Sequence, residues 1–311
     1  KNQQLDIVLR DGVELNEVNI VTRKLGTMKL RSSVMNEDMI SSAELSRAAC
    51  CNLGESFVTN PSVDVSYSDA ATGAKQIKLL GLSGTYVQML TENIPNYRGA
   101  AAPYGLGYVP GPWMQSIQVS KGTSSVKNGY EAITGQINVE FKKPQLPEAD
   151  WVSANLFAST TNRYEANADA TLKLSKRWST SLLAHYENET KAHDGNDDGF
   201  VDIPQVEQYN VWNRWAYMGD HYVFQAGIKA LSETRTSGQA NHGGTMHSGD
   251  LYKVGIDTER YEFFTKNAYI FNKEKNTNLA LILSASWHNQ DAMYGRKLYN
   301  VDQTNVYASL M

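Results

Sequence analysis

The sequence predicts two fold classes in series: an α+β segment over roughly the first 145 residues, then the wall of an antiparallel transmembrane β-barrel. Three observations predict this. Short apolar runs broken by Gly and small residues fill the first part, and long period-2 segments fill the second. Lys143-Pro144-Gln145-Leu146-Pro147 punctuates the change. In the second part the connections alternate between tight and long.

In the first part, strands are predicted at Leu5–Leu9, Ile77–Leu82, Thr85–Leu90, Ser116–Gly122 and Gly135–Phe141. Short helices are expected at Asn36–Ile40 and Ala43–Phe57. After Asp150, Tyr164, Ala166, Ala168, Ala170 and Leu172 alternate with Glu165, Asn167, Asp169 and Thr171. The same alternation runs through Trp178–Glu187, Tyr222–Ala230 and Leu279–Trp287. Trp151–Ala158, Tyr209–Tyr217 and Tyr261–Phe271 complete seven strands, the last without clean faces, and an eighth begins at Asn305–Met311.

A soluble sandwich buries one such face in its own core, whereas an outer-membrane barrel turns it to lipid. Strands of about 9–11 residues suit a tilted membrane crossing. Trp178, Tyr186, Trp215, Tyr217, Tyr222 and Trp287 fall near strand ends, as an aromatic girdle requires. Ser175–Arg177, Gly219–His221 and Asn272–Asn276 are tight, while Lys191–Gln208, Ser232–Thr258 and Asn289–Gln303 read as long loops. Periplasmic turns are short and external loops long in such barrels. The alternative is a soluble, calcium-dependent β-sandwich binding module or adhesin.

Composition bounds the rest. The 311 residues are 41% hydrophobic and 20% charged, with net charge -4, so a core is expected and wholesale disorder is not. Lys and Arg are scattered, which argues against a nucleic-acid surface. The two cysteines, Cys50 and Cys51, are neighbours and make no disulfide framework. No apolar run is long enough for a transmembrane helix. The chain opens without Met or leader, which suggests that a processed signal or a domain precedes it.

Met114–Pro144 carries Ile117, Val119, Lys121, Gly122, Gly129, Ala132, Gly135, Ile137, Asn138 and Val139 in an ordered series. That series resembles the closing stretch of the plug domain in TonB-dependent outer-membrane transporters. Upstream, Pro61-Ser62-Val63 stands where the family has Pro-Gly-Val. Leu80 replaces a usual Arg, and Glu92-Asn93-Ile94-Pro95 stands for Asp-Gly-Val-Pro. Glu17, Val18, Asn19, Ile20, Val21 and Thr22 resemble a TonB box, and Lys1–Glu14 the last strand of the β-sandwich that precedes the plug in Bacteroidetes-type members. The implied organisation is 1–26, sandwich end and TonB box; 27–146, plug; 147–311, N-terminal part of a barrel. A barrel that holds a plug needs about 22 strands, so the chain is expected to be part of a longer one.

The resemblance implies import of a bulky, scarce nutrient, such as cobalamin, haem or a siderophore. It also implies a TonB energy-coupling protein, outer-membrane lipid and a surface lipoprotein as partners. Residues 96–113 would form a plug apex in which Tyr97, Arg98, Tyr104 and Tyr108 stack on a flat ligand, with Thr85 in the neighbouring apex. His242 and His247 are candidate ligands for soft metal or haem iron.

His193–Asp202 has the D-x-[DN]-x-[DN]-G core of a calcium loop. Asp194, Asn196, Asp198 and Asp202 would offer side-chain oxygens and Phe200 its carbonyl, with Gln205 where a closing Glu would stand. Asp194, Asp197, Asp198 and Asp202 would repel one another without a cation. The resemblance places this loop outside the cell, as in the vitamin B12 transporters. No constellation resembles a catalytic site.

Overall fold

A computed structural model describes residues 27–29, 36–47, 51–57, 60, 63–69, 71–82, 84–123, 128–144, 152–240, 251–272, 275 and 277–311. The expected strand Leu5–Leu9, the Glu17–Thr22 segment, His242, His247 and Cys50 lie outside them.

The first body is built on a six-stranded sheet in the order β1-β2-β7-β8-β5-β6. Its strands are β1 (Thr27–Lys29), β2 (Asn36–Ser41), β5 (Val87–Thr91), β6 (Ile94–Pro95), β7 (Met114–Lys121) and β8 (Gly135–Phe141). β3 (Asp64–Asp69) and β4 (Ala74–Lys78) form a separate hairpin. Gly135 is required by close approach: a Cβ there would meet the Ser120 carbonyl oxygen at 2.2 Å. Ile40, Leu53, Leu79, Val87, Ile117 and Ile137 pack in one apolar core.

Two helix expectations are corrected. Asn36–Ser41 is a strand, because Ile40 and Met39 pair with Ile117 and Gln118 of β7. Among the described residues of Ala43–Phe57, helix is confined to those of Ser42–Arg47 (α1) and a single 3-10 turn at Leu53–Glu55. Sheet pairing outweighs local propensity in the first case. In the second, the Asn52 side chain accepts from the Glu55 N–H and starts a new turn.

The second body is an eight-stranded antiparallel meander. It comprises β9 (Val152–Ala158), β10 (Arg163–Lys173), β11 (Trp178–Glu189), β12 (Gln205–Met218), β13 (Tyr222–Gly238), β14 (Lys253–Asn272), β15 (Thr277–Tyr294) and β16 (Lys297–Leu310). From β11 onward the strands exceed the expected 9–11 residues, because their polar continuations stay paired beyond the apolar band. The largest departure is at 289–303, expected as a loop. It is the top of the β15–β16 hairpin, turned by Gly295 and Arg296 alone. Gly295 has φ +60, as the first position of a two-residue II′ turn demands.

The meander is inside out relative to a soluble sheet. Leu156, Ile228 and Val306 face outward at 82%, 63% and 79% exposure, while Glu165, Asn210, Arg260 and His288 face inward and are buried. That inversion excludes the sandwich alternative, since a sandwich buries its apolar face. Tyr261–Phe271 also gains its faces: Tyr261, Phe263, Tyr269 and Phe271 point out, and Phe264 points in. Tyr261 to Phe271 covers about 33 Å at about 3.3 Å per residue, or about 25 Å along the normal at the usual barrel tilt. Stacked Tyr261–Trp287 and the Tyr186–Tyr209 pair edge this band toward the long connections, and Trp178–Tyr217 edges it toward the tight turns. No helix among the described residues is long and apolar enough to cross a membrane, which says nothing of strands.

Candidate functional site

The first body sits against the inner face of the wall. Trp113 and Phe141 pack on Trp212, the latter edge-on at 4.5 Å. Deeper in the lumen, Glu92 is 2% exposed and accepts from Arg214 Nη2 at 2.6 Å. Lys266 Nζ donates to the Glu92 carbonyl at 2.8 Å and approaches its carboxylate at 3.4 Å. Burial alone would raise the Glu92 pKa; Arg214 and Lys266 reverse that and hold it below the ordinary carboxylate range. Glu92 and Asn93 both have positive φ, 50° and 64°, so the turn that replaces the family's Asp-Gly is strained and is clamped by the wall.

Every inward basic side chain of β12–β14 donates to an oxygen of the first body. Besides the Glu92 contacts, Arg214 reaches the Lys142 carbonyl at 2.7 Å, and Arg235 the Thr72 carbonyl at 3.1 Å. Lys229 reaches the Tyr97 hydroxyl at 2.9 Å and the Tyr108 carbonyl at 3.0 Å, and Arg260 the Asn96 side chain at 2.7 Å. The wall is therefore stoppered by a body that satisfies its buried charges.

The predicted ligand residues divide. Tyr97, Tyr104 and Tyr108 do reach the wall, but they are 4%, 6% and 0% exposed. Burial pushes the Tyr97 and Tyr108 phenols up, so in this conformation they hold the stopper and present no stacking face. Arg98 is half-buried and pairs with Glu131. Thr85 is exposed in a turn tied to residues 76, 133 and 134 of its own body.

Two features at the outer end were not anticipated. The inward face of the β15–β16 tip, with Tyr252, Tyr294, Tyr299, Arg296 and Lys297, lines a hollow of about 1020 Å³. The Gly295-Arg296 pair between Ala292-Met293-Tyr294 and Leu298-Tyr299 was the hairpin signal for it. A second hollow, of about 170 Å³, lies between Tyr104, Glu55, Lys75 and the tops of β10–β13.

The 193–202 loop lies beside the second hollow and is closed by its own amides. Asp194 accepts from the Asp198 and Gly199 N–H groups at 3.2 and 2.8 Å, and Asp198 accepts from the Phe200 N–H at 2.8 Å. Asp202 accepts from the Gly195 N–H at 2.7 Å, and Asn196 donates to Asp198 at 3.0 Å. Among the described residues, no three His, Cys, Asp or Glu side chains converge to hold a metal ion.

Comparison with known proteins fits this geometry. Residues 29–136 match the family model of the TonB-dependent receptor plug domain. The chain is 24% identical over 185 residues, 60% of its length, to the vitamin B12 transporter BtuB of Vibrio vulnificus, and spans 30% of that protein. The closed form of the ferric-catecholate import receptor Fiu of E. coli superposes with TM-score 0.67 at 15% identity, over 92% of this chain and 45% of that one. The copper transporter OprC gives TM-score 0.55 at 12% identity, over 92% and 47%. The chain thus spans less than half of each of these relatives. Residues 29–136 therefore carry the plug domain of the TonB-dependent receptors, seated inside barrel strands that turn their apolar face outward.

Proposed function

We propose that the receptor imports a bulky, scarce nutrient, a metal chelate such as cobalamin, haem or a siderophore, across the outer membrane. The observation that carries this reading is the stoppered lumen under an outward-opening aromatic vestibule. Tyr252, Tyr294 and Tyr299 offer faces for a large flat ligand, and Arg296 and Lys297 offer charge at its rim. Two of the relatives are named for cargo of this kind, vitamin B12 and ferric catecholate. Glu17–Thr22 is the segment that the TonB energy-coupling protein would capture as an added strand. Pulling it would break the Glu92 clamp and free a passage.

Titrating the full-length receptor with cobalamins, haem and ferric siderophores by tryptophan quenching tests the vestibule. The Tyr294→Ala/Tyr299→Ala double variant is expected to weaken the best ligand by about tenfold or more, at about 0.5–1.5 kcal/mol per aromatic contact. Unchanged affinity would remove the vestibule from the site.

Calcium binding by Asp194, Asn196, Asp198, Phe200 and Asp202 is proposed as well. Each carboxylate oxygen that accepts an amide keeps a second lone pair, and a cation would relieve the crowded negative charge. Melting with and without chelator is expected to differ, by about 2.7 kcal/mol at a hundredfold excess over Kd. Identical melting, with no calcium in elemental analysis, would dismiss it.

A further inference from the structure

We infer that the smaller outer hollow is a subsite for a protonated amine carried by the ligand. Inward residues of three adjacent strands tile its floor. Gln208 lies between Glu187 and Glu233 in one row, and Val206 beside Arg235 in the next. Glu189 closes the second row on β11.

Glu189 is 7% exposed and lines the hollow, and among the described residues its carboxylate has no hydrogen bond or ion pair. The cations nearby are already engaged. Arg163 holds Glu55, Glu165 and Glu187 at 2.8, 2.7 and 2.9 Å. Arg235 holds Glu233 at 3.0 Å, and Lys75 leans on Glu55 at 3.7 Å. Gln208 is 1% exposed; it spends its N–H groups on Glu233 and the Gly107 carbonyl, and its Oε1 is buried without a partner. His193 stands at the rim with Nε2 on the Thr161 carbonyl at 3.0 Å. Around the hollow Glu55, Glu187, Glu189 and Glu233 face Lys75, Arg163 and Arg235, which leaves one negative charge uncompensated. A buried amide oxygen without a donor, beside an unpaired carboxylate that opens on the hollow, favours N–H groups, and the unbalanced charge favours a cation. The inference rests on the vestibule reading only for access from outside.

Tryptamine and tryptophol share one ring and differ in the ammonium. With the full-length receptor in detergent, tryptamine is expected to bind about tenfold more tightly, as a charge-assisted bond in a dry site allows. Glu189→Gln should abolish the preference, and outward-facing Glu207→Gln should keep it. Val206→Lys, which brings an internal ammonium to Glu189, should abolish it as well and serves if E189Q inserts poorly. Equal binding of the two probes, no binding of tryptamine, or a preference that survives in E189Q overturns the subsite. Binding needs no import, so a receptor that shows the preference and imports nothing would sink the transport reading and leave the subsite standing.

Discussion

Glu92→Ala is expected to destabilise the seated plug by about 3–5 kcal/mol, because it leaves Arg214 buried without its carboxylate. Arg214 is itself fixed, 4.6 Å over the Trp212 ring, and cannot follow a missing partner into water. The same change releases a turn held at positive φ, so plug and clamp loosen together. Urea unfolding followed through Trp113 measures it, and a loss under about 1 kcal/mol would deny the clamp. Replacing both partners by apolar residues should recover most of the loss. The pH dependence follows from the sign of the shift. The folded Glu92 pKa lies below its ordinary 4.5, so the contribution is complete above about that pH. It is lost as pH falls through the folded value, and Glu92→Ala should flatten this acid limb.

Deleting Glu17–Thr22 is expected to abolish energised uptake while leaving equilibrium ligand binding unchanged. The vestibule is lined by strand tips and the residues beside them, so it does not need the coupling segment. Radiolabelled-cargo uptake beside binding to isolated outer membranes separates the two. Uptake at the parental rate would contradict the coupling role, and a parallel loss of binding would show that the segment serves folding instead.

Much of the fold was legible in the chain because period 2 is a strong signal where each face meets a different solvent. Tyr164–Leu172 and Leu279–Trp287 kept their expected faces for that reason. The series from Ile117 to Val139 marked the plug because Gly135 has no room for any side chain. What failed was local. Asn289–Gln303 looks like a loop because, above the lipid, polar residues occupy both faces and the alternation fades, although the backbone ladder continues. Asn36–Ile40 looked helical because its longer partner, β7, lies some 80 residues away, beyond any local pattern. The packing state of the aromatic stretch 96–113 was not legible in the chain. Tyr97 and Tyr108 were read as ligand contacts, yet Lys229 draws both toward the wall. Glu189 and Gln208 were not separable from ordinary lumen polarity until the partners of their neighbours were known.

The central claim is that one face of β9–β16 meets lipid while the other meets the plug. Single-tryptophan variants of the full-length receptor in bilayers of brominated-chain lipid test it most directly. Trp215 and Trp287, outward at 41% and 39% exposure, are predicted to be quenched strongly, and Trp212, inward at 6%, to stay bright. Equal quenching of all three, or a bright Trp215 beside a quenched Trp212, would contradict the account.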